Sequence, residues 1–256
     1  MQAIEFKVKW GMLVNLDKCT GCGACTVACR AENNLSPEVE AGNKLRTNDW
    51  MNIYELSNGE PFPHHEVAYL PRPCMQCGKP SCSTVCPVVA TTKDEEGGIV
   101  SQVYPRCIGC RYCMAACPYH ARYFNWFDPV WPEGMEKTLT PYVSARPRGV
   151  VEKCTFCHHR FMAAKERARM NDEDPTQLAE DAYIPACAEI CPTGAITFGD
   201  LHNPDHEISK LVASPNAFRL LVKLGTDPQV YYYSEREWVR KLGDNYLKND
   251  KGGENV

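Results

Sequence analysis

The sequence predicts an α+β fold of two nested units, with loop and helical insertions and a C-terminal arm. Three observations lead to this prediction: the cysteines are clustered, their spacing repeats, and short β-branched segments flank the clusters. The chain has 256 residues, enough for one large domain or two small ones, and its 16 cysteines all fall into four runs. The runs are Cys19, Cys22, Cys25 and Cys29; Cys74, Cys77, Cys82 and Cys86; Cys107, Cys110, Cys113 and Cys117; and the split run Cys154, Cys157, Cys187 and Cys191.

The third run has the spacing C-x2-C-x2-C-x3-C followed by proline, which is the spacing of bacterial ferredoxins. Three closely spaced cysteines can wrap a loop around one iron-sulfur cube, and the fourth, a turn further on, reaches a second cube. Pro87 and Pro118 follow the last cysteines of the second and third runs. Because proline lacks an N–H and has a fixed φ, it turns the chain away from the cluster. A unit of this kind needs two runs, each completing the other.

Disulfides and zinc are the competing explanations for so many cysteines. Disulfide scaffolds are typical of short secreted chains with scattered cysteines, whereas here every cysteine lies in a tight run and no signal peptide precedes them. Structural zinc sites use paired C-x2-C knuckles, not triplets with a trailing fourth cysteine. The pattern therefore favours iron-sulfur clusters. Metal analysis separates the two, since four cubes hold about sixteen irons whereas a zinc module holds several zincs and no acid-labile sulfide.

Charge and hydropathy exclude two further classes. The net charge is −4, with both signs interspersed, which gives no electrostatic case for nucleic-acid binding. No apolar run approaches the ~20 residues that a membrane-spanning helix needs. We therefore expect any membrane association to come through a partner. With no signal evident, the expected location is the cytoplasm, or the far side of the membrane after export in the folded state with a partner that bears a twin-arginine signal.

Patterns between the runs predict the secondary structure. Met12, Val14 and Leu16 alternate with other residues, as in a strand entering the first run. The segment VVATTKDEEGGIVSQV (88–103) predicts a β-hairpin with an acidic, glycine-bearing turn. Between the halves of the split run, RFMAAKERARMNDED (160–174) consists of good helix formers. GAITFGD (194–200) then predicts a closing strand.

Two insertions are predicted, over 31–73 and 119–149. The first combines a polar loop (ENNLSPEVEAGNK), a short apolar stretch and a strand near HEVAYL, and its histidines, His64 and His65, are interpreted as surface residues rather than ligands. The second is aromatic and proline-rich. It either covers the clusters and excludes water, or presents an aromatic patch to another subunit. His158 and His159, next to Cys157, are interpreted as ordinary polar neighbours.

The order of the runs predicts how they pair. The second and third, back to back, form an inner unit over 74–118, and the first and fourth form an outer unit over 1–30 and 150–199 that contains it. In that arrangement the last cysteine of each run binds its partner's cluster, and no cysteine is left over. The predicted ligands are Cys19, Cys22, Cys25 and Cys191 for cluster 1; Cys154, Cys157, Cys187 and Cys29 for cluster 2; Cys74, Cys77, Cys82 and Cys117 for cluster 3; and Cys107, Cys110, Cys113 and Cys86 for cluster 4.

The C-terminal segment 200–256 contains no cysteine. It mixes a short amphipathic helix, an extended aromatic stretch and a charged end. It is predicted to be an arm, which either wraps back over the core or docks on a partner.

The four runs, their order and the split fourth run resemble the iron-sulfur (beta) subunits of molybdopterin oxidoreductases, the type in DMSO reductase and polysulfide reductase. CPYHARYFNW (117–126) and FRLLVKLGTDPQVYYY (218–233) look most similar to the subset in polysulfide reductase, the periplasmic quinone reductase complex and alternative complex III. In this family the third run sometimes lacks a cysteine and holds a three-iron cluster. Here that run is complete, so four [4Fe-4S] clusters are expected. Arg30 stands where the pattern has proline, but it removes no ligand.

The resemblance implies an electron-transfer subunit of a membrane-bound respiratory oxidoreductase. The expected partners are a molybdopterin-type or multihaem cytochrome c subunit and a multi-helix, quinone-binding membrane subunit, on the periplasmic face. The alternative is a free soluble polyferredoxin. No catalytic residue is predicted, because the sequence has no Gly-rich phosphate loop and no triad signature. An enzyme with chemistry at a cluster would need an iron with only three protein ligands, and the complete runs argue against one.

Overall fold

The structure, a computed structural model, describes residues 8–37, 48–94 and 96–248. Most of the polar loop predicted within the first insertion, residues 38–47, lies outside this range. So do the start of the segment leading to the first run (1–7), one residue of the hairpin turn (Glu95) and the charged C-terminal end (249–256).

Strand β1, Trp10–Asn15, lies in the interior of a four-stranded sheet. The strand predicted here is confirmed, and both of its faces are buried: Met12 and Val14 are completely buried, and Leu13 between them is 2% exposed. It pairs on one side with β8, Ile196–Asp200, antiparallel, with Met12 opposite Phe198. On its other side it pairs with β10, Val230–Tyr233, in parallel, and β10 in turn pairs with β9, Ala217–Phe218. The predicted closing strand is therefore a direct neighbour of the first strand.

Three two-stranded antiparallel sheets are separate from this sheet. Antiparallel pairs are formed by β2 (Asn52–Ser57) with β3 (Val67–Arg72), by β4 (Thr91–Lys93) with β5 (Val100–Gln102), and by β6 (Tyr123–Phe124) with β7 (Val151–Glu152). The predicted hairpin and the predicted strand near HEVAYL are confirmed. The helices are α1 (Ala24–Glu32), α2 (Ser81–Thr84), α3 (Tyr112–Ala115), α4 (His158–Met170), α5 (Ala186–Glu189), α6 (Glu207–Val212) and α7 (Glu237–Lys248).

An aromatic cluster joins the sheet to α4, the helix predicted between the halves of the split run. Trp10 of β1 stacks on Phe198 of β8 with ring centroids 5.5 Å apart, and its edge meets Phe161 of α4 at 6.0 Å and Tyr183 at 4.9 Å. Burying aromatic rings of this size contributes much of the stability of a core. The cluster thereby fixes the first half of the split run against β1.

The C-terminal segment completes the central sheet. Val230 and Tyr232 of β10 are fully buried, and the Tyr232 hydroxyl donates a hydrogen bond to the carbonyl oxygen of Pro71 at 3.1 Å. Beyond the strand, Arg236 forms an ion pair of 2.9 Å with Asp17. Residues 230–233 are thus part of the core, and contact of this arm with a partner stays a prediction.

The second insertion has a buried base and an exposed surface. Tyr119 and Ala121 are buried, whereas about two fifths of Trp126 and Phe127 is exposed. None of the helices in the described ranges combines the length and the apolar composition needed to cross a membrane.

Candidate iron-sulfur sites

The same local geometry presents the cysteines of all four runs. In each run the third cysteine is the second residue of a short helix: Cys25 in α1, Cys82 in α2, Cys113 in α3 and Cys187 in α5. Two residues after each first cysteine the backbone is left-handed, at Gly21, Gln76, Gly109 and Phe156 (φ between 46° and 69°). This turn reverses the chain direction between the first two cysteines. Four copies of one turn-and-helix geometry therefore present the cysteines of the four runs.

Two groups of four thiols line spaces near the surface. One space is lined by the cysteines named here set 1: Cys19, Cys22, Cys25 and Cys191. The other is lined by set 4: Cys86, Cys107, Cys110 and Cys113. In both cases the structure brings the last cysteine of one run to the first three of another.

Two further groups lie in the interior. Set 2 consists of Cys29 with Cys154, Cys157 and Cys187, whose charges act on the Cys29 thiol; all four are 5–8% exposed. Set 3 consists of Cys77 with Cys74, Cys82 and Cys117. Burial raises the pKa of Cys77 to about 12 and that of Cys154 to about 12, with neighbouring thiols as the next contribution. Thiolates so placed need a cation nearby, which a bound cluster supplies.

Interactions between thiols also link neighbouring sets. The charge of Cys25 in set 1 raises the pKa of the Cys29 and Cys187 thiols in set 2. Cys154 of set 2 interacts with Cys74 of set 3. Set 3 and set 4 meet at a buried guanidinium, that of Arg122, which interacts with both Cys82 and Cys113. The four sets therefore follow one another from set 1 to set 4.

The donor set fits iron-sulfur clusters. All sixteen cysteines are free thiols, and the four sets use each of them once. Thiolate sulfur is the ligand that iron-sulfur clusters take, four per [4Fe-4S] cube. Within the described residues, no three His, Cys, Asp or Glu side chains are grouped so as to share a single metal ion.

Comparison with known proteins places the protein in a family. Residues 18–90 and 65–132 each match the family described as the 4Fe-4S dicluster domain. The menaquinone reductase iron-sulfur cluster-binding subunit of Nitratidesulfovibrio vulgaris is 71% identical over 96% of this chain and 97% of its own length. The iron-sulfur subunit of a putative dimethyl sulfoxide reductase from Halobacterium salinarum is 38% identical over 94% and 87%. A component of the polysulfide reductase of Wolinella succinogenes is 35% identical over 87% and 93%.

The chain is a member of this family of iron-sulfur subunits. The family predicted from the cysteine runs is confirmed, and so is the role: the protein is an electron-transfer subunit of a membrane-associated respiratory oxidoreductase, with four [4Fe-4S] clusters as its cofactors. The two matched segments span runs one and two, and runs two and three. They place clusters on these runs without deciding how the runs pair.

Backbone and side-chain donors surround the thiols of this iron-sulfur subunit. The N–H groups of Ala90 and Ala195 donate to Cys86 and Cys191, each four residues earlier, at 3.2 and 3.3 Å. Burial opposes ionisation of Cys86 and Cys191, but such hydrogen bonds outweigh it and lower the pKa of both. In set 2, Nδ2 of Asn33 lies 3.7 Å from the Cys29 sulfur and 3.8 Å from that of Cys157. Donors to cluster sulfurs are a main control on reduction potential.

The four histidines weighed as ligands in the sequence differ in exposure and in contacts. His64 and His65 are exposed, and the His65 ring contacts the carbonyl oxygen of Glu60 at 3.1 Å. His159 pairs with Glu32 at 2.6 Å. Hydrogen bonds from Arg160 are the main cause that lowers the pKa of Glu32 to about 2. His158 packs against the Phe161 ring.

Sequence reasoning missed three polar residues close to the cysteines. Asn33 contacts two sulfurs of set 2, and Arg122 lies between sets 3 and 4. Gln76 joins the runs, because its side chain donates to the carbonyl oxygen of Cys154 at 2.8 Å and accepts from the N–H of Val100 at 2.8 Å. A single Asn, Gln or Arg carries no spacing signal. Arg122 does fall within CPYHARYFNW, the segment singled out for its resemblance.

Proposed function

We propose that this subunit conducts electrons along a row of four [4Fe-4S] clusters, one bound by each of sets 1 to 4. The observation that carries the proposal is the exchange of fourth cysteines: Cys191 lies with the first run, Cys29 with the split run, Cys117 with the second and Cys86 with the third. Each cluster then has four thiolate ligands. When bound, each supplies one-electron transfer without bonds to substrate.

The exchange implies the nested architecture, with an inner unit over 74–118 inside an outer unit of 1–30 and 150–199. Pairing of β1 with β8 supports the outer unit, because it joins the strand before the first run to the strand after the last. The β4–β5 hairpin supports the inner unit. Gln76 links the two, since it bonds Cys154 of the outer unit and Val100 of the inner one.

The protein residues hold the clusters, exclude water from the middle of the row and leave its ends accessible. All four thiols of set 2 are buried, whereas Cys22 of set 1 and Cys110 of set 4 are exposed. Electrons therefore enter and leave through sets 1 and 4. Apolar side chains flank both ends: Val27 is 67% exposed beside set 1, and Ile108 is 64% exposed beside set 4. We assign the partner contacts to these two ends.

The partners proposed are a molybdopterin-type or multihaem subunit at one end and a quinone-binding membrane subunit at the other, on the periplasmic face. Support comes from the relatives, whose names include menaquinone reductase, polysulfide reductase and an Hdr-like menaquinol oxidoreductase. Because the 71% identical relative belongs to a menaquinone reductase, we propose that the whole complex is of this type. We also propose that the aromatic insertion (119–149) and the arm (200–256) contact its other subunits.

Mass spectrometry of what co-purifies with this chain from gently solubilised membranes tests the proposed partners. The expected result is a multi-helix membrane protein together with a molybdopterin-type or multihaem subunit. A chain found alone in the soluble fraction with its full iron content, about sixteen atoms for four cubes, would instead be a free polyferredoxin.

A further inference from the structure

Arg122 is a buried cation whose hydrogen-bond partners are neutral side chains. It is 4% exposed and precedes β6 directly. Its Nη1 donates to Oγ1 of Thr91 at 3.1 Å and to Oε1 of Gln102 at 3.2 Å. Both partners are neutral, and they bond each other at 2.7 Å. The guanidinium is therefore held in place from the β4–β5 hairpin without being neutralised by it.

Arg146 provides the contrast. It is also buried, at 3%, but it forms an ion pair of 2.6 Å with Glu152. Within the ranges that the structure describes, Arg122 has no carboxylate in ion-pair contact, and its Nη2 has no nitrogen or oxygen partner. Burying an uncompensated charge is costly, so a residue in this state points to a negative group that is supplied otherwise.

The negative groups that face Arg122 are cysteine sulfurs from two different sets. Cys82 belongs to set 3 and Cys113 to set 4, and both interact with the guanidinium, as does Cys74 more weakly. Thr91 and Gln102, the two groups that bond the guanidinium, line the same space as the thiols of set 4. The side chain is thus an always-charged donor placed at the junction of the two sets.

We propose that Arg122 is a potential-tuning residue, a fixed positive charge between the third and fourth cluster sites that favours reduction at both. The inference rests on the proposed ligand sets and adds a role for a residue that binds no iron. A one-electron reduction at either site adds one negative charge beside the guanidinium, and a buried cation stabilises that charge far more than one in water. An electron leaving one site arrives at the other, and no proton moves.

The shared position has a consequence for transfer between the two sites. Because the same charge acts on both, it raises the electron affinity of both sites and changes the difference between them little. The pair as a whole is then easier to reduce, while the driving force for transfer between sets 3 and 4 is nearly unchanged.

The test is a redox titration of the purified complex followed by electron paramagnetic resonance, with three variants. Arg122→Gln removes the charge, Arg122→Lys retains it, and Arg106→Gln removes an exposed arginine next to Cys107 as a matched control. We expect Arg122→Gln to lower the equilibrium constant for reduction of two of the four clusters at least tenfold, which is 59 mV for one electron. Arg122→Lys is expected to stay within threefold, and Arg106→Gln likewise because water screens its charge.

A second variant keeps the proposal testable if the complex with Arg122→Gln does not assemble. Gln102→Glu leaves Arg122 in place and sets a carboxylate against it, which predicts the same downward shift of the same two clusters. If all four clusters are present in Gln102→Glu or Arg122→Gln and none of their potentials shifts, the role of Arg122 is overturned and the proposed function is not. Fewer than four clusters in the unmodified complex would instead overturn the proposed function. A shift in only one cluster would overturn the shared position.

Discussion

The interior and the ends of the proposed row are built from the same local turn but differ in what surrounds it. In set 2 every thiol is buried and a side-chain amide, that of Asn33, faces two sulfurs. In sets 1 and 4 one thiol is exposed, at Cys22 and Cys110, and the fourth cysteines are bonded by backbone N–H groups. Backbone N–H groups reach thiols of both kinds, as that of Phe156 does at Cys154 of set 2 at 3.4 Å. The difference between interior and ends is therefore mainly one of exposure to water.

The largest expected effect comes from removing one ligand at an interior site and one at an end. Cys154→Ala takes a ligand from a fully buried set, so the cluster cannot be repaired by water and about four of sixteen irons are lost. Cys22→Ala opens only the exposed corner of set 1, and the loss is about one iron.

Iron and acid-labile sulfide per chain, measured on complexes purified in parallel, distinguish these losses. Equal losses in both variants would contradict the difference between interior and end. Loss of iron from all four sites in Cys154→Ala would show that the fold, rather than one site, had failed.

Two tryptophan substitutions compare how much the aromatic core and the exposed insertion contribute to stability. Trp10→Ala removes the centre of the aromatic cluster and is expected to cost about 3–5 kcal/mol of unfolding free energy. Trp126→Ala, at a side chain 39% exposed, is expected to cost about 1 kcal/mol or less. Chemical denaturation of the loaded protein under anaerobic conditions measures both. A Trp126 variant as unstable as the Trp10 variant would show that the insertion belongs to the core.

Removing a hydrogen-bond donor to sulfur at an interior site and at an end is expected to have a smaller effect, on the reduction of one cluster. Asn33→Leu removes a donor to two buried sulfurs, and Thr193→Val removes one that lies 3.7 Å from the more exposed Cys191 sulfur. A hydrogen bond contributes about 1 kcal/mol, so Asn33→Leu should lower the equilibrium constant for reduction of one cluster about fivefold. Water replaces the donor at Thr193, and little change is expected. A redox titration compares them, and a larger shift for Thr193→Val would reverse our interpretation.

The smallest expected effect is a pH-dependent contribution from Asp227, which links the arm to the inner unit. Burial opposes its ionisation, but a hydrogen bond from Arg219 and the charges of Arg219 and Lys9 lower the pKa of Asp227 below its usual value. A lowered folded-state pKa means that the stabilisation is present at neutral pH and is lost as pH falls through 3.8 and below. The side chain is 36% exposed, so Asp227→Asn should cost below about 1 kcal/mol at pH 7.

Unfolding midpoints of wild type and Asp227→Asn are compared at pH 7 and at successively lower pH, with exposed Asp205→Asn as the control. The difference should shrink on acidification. A difference that grows as the pH falls would contradict the sign of this shift.

The sequence predicted the elements that carry a pattern. Strand β1 followed from the alternation of Met12 and Val14, and the β4–β5 hairpin from β-branched segments around an acidic turn. The ligand sets followed from spacing and counting, and they remain predictions for experiment. The position of β10 in the sheet could not be predicted, because the sequence of an extended segment such as Val230–Tyr233 does not indicate which strand it pairs with. Arg122 and Asn33 were missed for the same reason: their roles depend on which runs become neighbours in space.

The parallel pairing of β1 with β10 has a consequence for synthesis. The first strand that the structure describes lies between strands drawn from the last quarter of the chain, and set 1 needs Cys191. The outer unit therefore cannot close until the ribosome has passed residue 200, whereas the inner segment 74–118 contains both of its strands and two complete cysteine runs. Cluster insertion is expected to begin in the middle of the chain and to finish at set 1, whose first three cysteines are made long before the fourth.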